Sequence, residues 1–354
     1  MAHHDRPATL RDVATAAGVH PATASRALNP GTRLLVSEAA DRLGYRPNPV
    51  ARSLRTRRSH TIGVLIPDLN NPLFPPIVRG LEDRLATRGY VALLGNTDAN
   101  LAKEQLVFDQ MLARHVDGFV LATAIAGSPI IAQAAESDVP VVLMNRTAQD
   151  YPFSSVSADS EAGVRAAVAH LVSLGHTRIG HIAGPQDVST GAERIRGFRA
   201  GMAAHQLTAV EDQIVYASGY SMEEGLRCGR ELLTARGDLT AIVAANDMLA
   251  VGCYGALDEL GLDCPRDVSI IGFNDMPFID RLRPPLSSVR FPHYQLGTEA
   301  ATLLIERIES PDSPLKILFL APELVVRGST APPGTASGAG SAVPLRRGSA
   351  TRRG

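Results

Sequence analysis

Apolar residues follow three different rhythms along this chain. From residue 10 to about residue 43 the rhythm is helical. Leu10, Val13, Ala14 and Ala17 fall at i, i+3, i+4 and i+7, one face of a helix, with Thr9 as N-cap, Asp12 three positions on and Gly18 as a left-handed stop. A second short helix is predicted from Pro21, a residue favoured in the first turn, burying Ala24, Ala27 and Leu28 and turning Ala22 and Arg26 outward. Leu35, Val36, Ala39, Ala40 and Leu43 predict a third. Two short helices about a tight glycine turn make a helix-turn-helix, although a helical pair used only for packing carries the same pattern.

From Thr61 the rhythm changes to short, continuous apolar runs separated by helical stretches. Strands are predicted at 61–68, 90–96, 118–123, 139–145, 178–184, 241–248 and 268–275. Such runs alternating with helices indicate parallel sheets buried on both faces. The stretch is longer than one open sheet usually takes, so two sheets are expected. Ligands of such sheets bind beyond the carboxyl ends of the strands, where Asp68, Asn96, Asp98, Asn145, Asn246, Asp247, Asn274 and Asp275 collect. Each could instead be a loop residue or a cap, Asp247 most clearly. The last stretch, 331–354, is rich in Gly, Ala, Ser and Pro without periodicity and reads as a disordered tail. It lacks the leucine heptads of a tetramer bundle, so a homodimer is expected.

Charge sharpens this division. The 354 residues carry a net charge of only −1. Residues 1–60 hold ten Arg against Asp5, Asp12, Glu38 and Asp41, which is +6, and residues 325–354 hold five Arg and no acid. The middle is therefore acidic, and a basic end on an acidic body suggests that the end meets a polyanion. With no run near the ~18 apolar residues of a membrane span, no apolar core in MAHHDRPATL and only three cysteines, a cytoplasmic protein with no membrane partner is expected.

Enzyme signatures are missing from the text: no GxGxxG follows a strand, and GxxxxGK, HExxH and GxSxG are absent. His176 and His181, five apart, do not share a helical face, and packing is the better explanation of His181. The expectation is no enzyme, no cofactor and no metal.

DVATAAGVHPATASRALN, GYRPNPVARSLRTRRS and TIGVLIPDLNNPLF resemble, in this order, the lac-repressor (LacI/GalR) family of bacterial transcription regulators, and the resemblance runs from Thr9 to about Thr330. It implies a multi-domain chain: an all-α helix-turn-helix DNA-binding domain and an α/β periplasmic-binding-protein-like core of two parallel-sheet subdomains. The expected divisions are 1–47 for the DNA-binding domain, 48–60 for a hinge helix and linker, and 61–330 for the effector-binding core. Within the core the N-subdomain takes about 61–158 and 292–321 and the C-subdomain about 159–290 and 322–330, with crossovers near 157–160, 289–293 and 320–323.

The implied function is a dimeric repressor whose affinity for a palindromic operator in double-stranded DNA changes when a small molecule binds between the subdomains. A solute-binding protein of similar core fold is the alternative, opposed by residues 9–58. By resemblance Pro21, Ala22 and Arg26 contact bases, Arg26 through the paired acceptors of a guanine edge, while Thr23 and Ser25 meet phosphates. The hinge segment would place Val50, Ala51 and Leu54 at the minor groove, Leu54 as a wedge, with Asn48, Arg52 and Arg55 on flanking phosphates. It is too short to hold a helix alone in water, so order is expected on binding.

Two departures from the family stand out. Only Pro30 and Gly31 separate Asn29 from Thr32, which suggests a type II turn with Thr32 capping the third helix, and His20 occupies the place of a Ser-like cap. In the effector site the resemblance implies an apolar wall of Leu73, Phe74 and Ile77, polar contacts from Asn145, Arg194, Asn246 and Asn274, and a floor of Phe291 and His293. Asn274 stands where many members carry Asp. This mixture suits a neutral polyol such as a sugar, with a purine or a phosphorylated sugar left open.

Overall fold

The computed structural model describes residues 8–26, 30–46, 58–148 and 150–334. At the N-terminal end α1 spans Leu10–Ala16, α2 Pro21–Arg26 and α3 Pro30–Arg42. A reciprocal capping box starts α1: Asp12 N donates to Thr9 Oγ1 at 3.4 Å and Thr9 N donates to Asp12 Oδ2 at 2.8 Å. Gly18 takes φ +64° directly after the helix. Val13, Ala14, Ala24 and Ala39 make the small buried core.

Two expectations fail at α3. The type II turn and the Thr32 cap are absent, because α3 already begins at Pro30, whose fixed φ suits the first helical position. Leu35 and Leu43, expected on the buried side, are 53% and 39% exposed. Helices of 7 and 6 residues cover only part of a 13-residue partner.

The whole chain divides into two compact units: Met1–Val156 with His293–Leu318, and Ser157–Pro292 with Phe319–Gly354. The first sheet uses β1 (Thr61–Ile66), β2 (Val91–Asn96), β3 (Gly118–Leu121), β4 (Val141–Met144), β5 (Ser154–Ala158) and β11 (Ile317–Leu320), in the order β11-β5-β4-β3-β1-β2. The second uses β6 (Ile179–Ala183), β7 (Ile214–Tyr216), β8 (Ala241–Ala244), β9 (Ser269–Asn274), β10 (Ser287–Arg290) and β12 (Glu323–Val325), in the order β12-β10-β9-β8-β6-β7. Pairing is parallel from β2 to β5 and from β7 to β10, and β12 closes its edge antiparallel to β10.

Helices α4 (Phe74–Ala86), α5 (Leu101–Ala113), α6 (Pro129–Glu136) and α11 (His293–Glu309) belong to the first unit. Helices α7 (Ser160–Ser173), α8 (Ser189–Ala204), α9 (Met222–Ala235) and α10 (Asp247–Leu260) belong to the second. In the first unit α4 and α11 lie backbone to backbone: a Cβ on Gly80 would collide with Tyr294 O, and one on Gly297 with Ile77 O.

Two further corrections come from hydrogen bonding. The apolar run at 241–248 is not all strand, because β8 stops at Ala244 and Asn246 Oδ1 caps α10 by accepting from Leu249 N at 2.9 Å. The cap is thus Asn246, not Asp247. The tail does not start at 331 either. Ala331 O accepts from His176 Nε2 at 2.8 Å and from Ser269 Oγ at 3.1 Å, which holds it to the second sheet.

Candidate DNA-binding and effector sites

Pro21, Ala22, Thr23, Ser25 and Arg26, expected to face DNA, lie on α2. Pro21 opens it half-buried, Ala22 and Thr23 are exposed, and Ala24 turns inward, as a one-sided helix requires. His20 supplies the cap from its ring: Nδ1 accepts from Ala22 N at 3.2 Å, and its carbonyl accepts from Thr23 N and Ala24 N. Ser25 and Arg26 lie in the last turn of the helix, but their side chains fall outside the described set. So do Asn48, Val50, Ala51, Arg52, Leu54 and Arg55 entirely.

Asp117, which the pattern of apolar residues does not single out, anchors the chain where it leaves that segment. Its Oδ1 accepts from Ser59 N at 2.7 Å and Ser59 Oγ at 2.9 Å, and its Oδ2 from His60 N at 3.0 Å. One carboxylate thus fixes the two residues before β1.

In the first unit, Leu73 and Phe74 sit at the start of α4 and are 4% and 2% exposed, and Ile77 one turn on is fully buried. Asn145 follows β4 in the left-handed region, φ 66°, and its N–H donates to Val156 O at 2.8 Å. Neighbouring Arg146 donates to Thr123 O at 3.3 Å, and Thr123 Oγ1 donates to the buried Glu104 carboxyl, which burial pushes above the usual carboxylate range. His293 opens α11.

In the second unit the carboxyl ends of β8 and β9 converge on Arg194, which projects from α8 and is 3% exposed. Its Nη1 donates to Ala245 O at 2.6 Å, and its Nη2 reaches Asn274 Oδ1 at 3.5 Å, the outer limit of a hydrogen bond. The guanidinium lies 3.9 Å from the Phe273 ring centre and 5.9 Å from that of Tyr220. Phe291 stands behind Phe273, ring centres 6.2 Å apart. Arg194, Asn246, Asn274 and Phe291 are therefore placed around one end of one sheet. Tyr220, whose hydroxyl pairs with Thr190 at 3.1 Å, joins them without having been read from the sequence.

Asp247 lies behind this group and is fully buried. Its Oδ1 accepts from Ser288 Oγ at 2.6 Å and its Oδ2 from Met276 N at 2.8 Å. Burial pushes its carboxyl up to about 7, against those two bonds. His181 is as deep: Nδ1 meets Val243 O at 2.7 Å and the ring stacks on Phe198 at 4.7 Å. Burial pulls its imidazole down to about 4, which supports its reading as a packing residue.

Comparison with known proteins gives consistent matches. Residues 9–48 match the family of bacterial regulatory proteins, lacI family, and residues 168–330 a periplasmic binding protein-like domain. The chain is similar to the HTH-type transcriptional regulator MalR of Streptomyces coelicolor, 37% identical over 91% of this chain and 96% of that one. It is also similar to the ribose operon repressor of Bacillus subtilis, 36% identical over 84% and 91%. Among solved structures, a transcriptional regulator CelR–cellobiose complex aligns with TM-score 0.72 and 31% identity, covering 91% of this chain and 99% of the other. The lac repressor dimer bound to operator and the anti-inducer ONPF aligns with TM-score 0.81 and 27% identity, covering 92% and 100%.

Proposed function

The chain belongs to the lacI family of bacterial regulatory proteins, and on that premise we propose how this DNA-binding transcriptional repressor, a regulator rather than an enzyme, divides its work between named residues. Two copies pair and set their α2 helices on the half-sites of a palindromic operator. Arg26 reads a base edge with Pro21 and Ala22 beside it, and Thr23 and Ser25 fix the helix on phosphates. Asn48, Val50, Ala51, Arg52, Leu54 and Arg55 form the hinge at the minor groove, and Asp117 ties the exit of that segment to β1. The protein works in the cytoplasm. Among the described residues no helix is long and apolar enough to cross a membrane.

The effector is a saccharide-class molecule held at the carboxyl ends of the strands. Its proposed contacts are Arg194, Asn246, Asn274, Phe291, Leu73, Phe74, Ile77, Asn145 and His293. Related regulators form complexes with cellobiose and with ribose. The observation that carries this reading is Arg194: a buried guanidinium whose nearest polar partners are a carbonyl and an amide at two strand ends is poised for a ligand. An effector that changes operator affinity by some factor must have its own affinity changed by operator by the same factor.

A gel shift of the full chain on duplex from upstream of its own gene, with random-sequence competitor and with and without sugars, tests the reading. A sequence-selective shift that a sugar alters supports it. No selectivity under any condition overturns it, and ligand binding without DNA binding would favour a solute-binding protein.

A further inference from the structure

Residues 58–60 join the hinge segment to β1, and what holds them extends the DNA-binding reading above, on which this inference rests. Three parts of the first unit converge on them. Asp117, directly before β3, receives Ser59 N, Ser59 Oγ and His60 N on its two carboxylate oxygens, at 2.7, 2.9 and 3.0 Å. Val91 N, at the start of β2, donates to His60 O at 2.9 Å. Arg58 reaches Ile308 O near the end of α11 at 3.5 Å and also hydrogen-bonds Tyr90. The His60 ring lies against Tyr90, ring centres 5.4 Å apart. Asp117 is itself fixed, since its N donates to Thr61 O at 2.8 Å.

This grip has a specific load to hold. His60 stands in the left-handed region, φ 53°. A side chain's Cβ crowds the following carbonyl oxygen there, and such a backbone persists only where its surroundings over-determine it. From Thr61 onward the register with Val91 fixes the chain. The turn at His60 therefore sets the direction in which the chain leaves the sheet, and an extended His60 would carry Ser59 and Arg58 off Asp117 and Ile308. Asp117 and Ser59 are only half-buried, and their bonds are polar and local to the joint. The apolar residues beneath, Ile62, Val64, Phe119 and Val120, are fully buried without them.

We propose that Asp117 is a positioning residue for operator binding: by holding His60 in a left-handed turn it fixes the angle at which the hinge segment leaves the first unit. Two copies engage two half-sites together only when both segments leave at matching angles, so a fixed joint raises operator affinity by preorganisation. Binding to random duplex rests on attraction between arginines and phosphates and has no such requirement. Asp117 touches no DNA in this scheme and acts through Ser59 and His60.

The test is fluorescence anisotropy of the full-length protein at one salt concentration, on duplex from upstream of its own gene and on random-sequence duplex of equal length. Asp117→Asn keeps the size of the side chain and turns one acceptor oxygen into a donor that faces a backbone N–H. It should weaken binding to the upstream duplex about tenfold, the scale of one unsupported left-handed residue, and leave random-duplex binding at the parent level. Adding His60→Gly to Asp117→Asn removes the steric cost of the turn and should restore most of the lost affinity, a rescue that a merely structural Asp117 would not show. Ser59→Ala removes one of the three bonds to Asp117 and should fall between parent and Asp117→Asn, which keeps the proposal testable if Asp117→Asn does not fold. Parent-like selectivity in both single variants overturns the proposal, as does an equal loss on both duplexes that His60→Gly does not rescue, and in either case the DNA-binding reading stands. A parent protein with no preference between the duplexes removes both.

Discussion

The ring nitrogen Nδ1 of His20 accepts the backbone N–H of Ala22 at 3.2 Å, so an imidazole caps the helix that carries the proposed base-reading residues. Ser, Thr, Asp and Asn are the preferred caps because a short oxygen side chain reaches the first-turn N–H groups with little rotamer cost. His20→Ala removes the acceptor and should destabilise the helical end by about 1 kcal/mol, whereas His20→Ser should equal or exceed the parent. Protease resistance of residues 1–46 in the intact protein, measured for both variants, checks this. Equal resistance of His20→Ala and parent would show the contact to be idle.

A second prediction concerns acid. His181 is neutral in the fold because burial holds its imidazole at about 4, while the unfolded chain takes the proton near 6.5. Between these values the unfolded state binds more protons, so stability is lost as pH falls from 6.5 to about 4, on the order of 3 kcal/mol in all. Burial lowers His170 and His176 in the same direction. Asp247 works oppositely. Its carboxyl rises from 3.8 to about 7, so the folded state holds the extra proton and stability is lost as pH rises through that range. Asp247→Asn should therefore fall in urea midpoint more steeply than the parent on going from pH 7 to pH 5. Parallel curves would mean that Asp247 stays ionised throughout.

How much of this was legible in the sequence follows from what each element buries. TIGVLI, GFVL, VVLM and SIIGF are continuous apolar runs, and all became strands. Ser154–Ala158 and Ser287–Arg290 escape that signal because serines occupy most of their buried positions. Those hydroxyls bond segments far away in the chain: Ser154 Oγ accepts from Lys316 N, Ser287 Oγ from Arg327 N, and Ser288 Oγ donates to Asp247. Hydrophobic periodicity cannot register a strand whose buried face is held by hydrogen bonds. Resemblance named the proposed effector residues, but the direction of an amide such as Asn246 was not legible, because it depends on which neighbour takes the carbonyl oxygen. Asp117 and Tyr220 carried no local signal at all.

Helix α4 and helix α11 approach so closely that Gly80 and Gly297 each face the other helix's backbone oxygen. Neither oxygen can retreat without breaking its own helix. Gly80→Ala or Gly297→Ala should cost about 2–3 kcal/mol or more and lower the melting point. Gly255 in α10 is the control, since a Cβ there meets nothing nearer than Leu226 Cδ1 at 3.4 Å. Gly255→Ala should gain about 0.5–1 kcal/mol from reduced backbone freedom in the unfolded chain. If all three variants melted alike, close backbone approach would not be what fixes the α4–α11 packing.

On DNA, the proposed roles separate into specificity and affinity. Arg26→Ala should relax preference at one base pair of each half-site by about 1–3 kcal/mol and leave the others unchanged. Leu54→Ala should instead weaken binding to every operator variant, because the wedge supports the bend and carries no base code. Fluorescence anisotropy against single-base operator variants distinguishes the two patterns. A uniform loss for Arg26→Ala would move that residue to a phosphate.

The C-terminal stretch gives a sharp boundary for truncation. Ser329 is fully buried: its Oγ donates to Ile270 O at 2.6 Å and accepts from Ser287 N at 2.8 Å. His170 Nε2 pairs with Thr330 Oγ1 at 3.0 Å. Ala331 then exchanges two bonds with Ser269 Oγ, both 3.1 Å, and gives its carbonyl to His176. A chain ending at Gly334 keeps all of these contacts and should melt and bind operator like the parent. A chain ending at Thr330 loses the acceptor of a buried imidazole and both Ser269 bonds, and places a terminal carboxylate beside His170. Unpaired buried groups cost about 1–3 kcal/mol each, so its melting point should drop by several degrees. If the two truncations melted together, the seat of Ala331 would contribute nothing to the second unit.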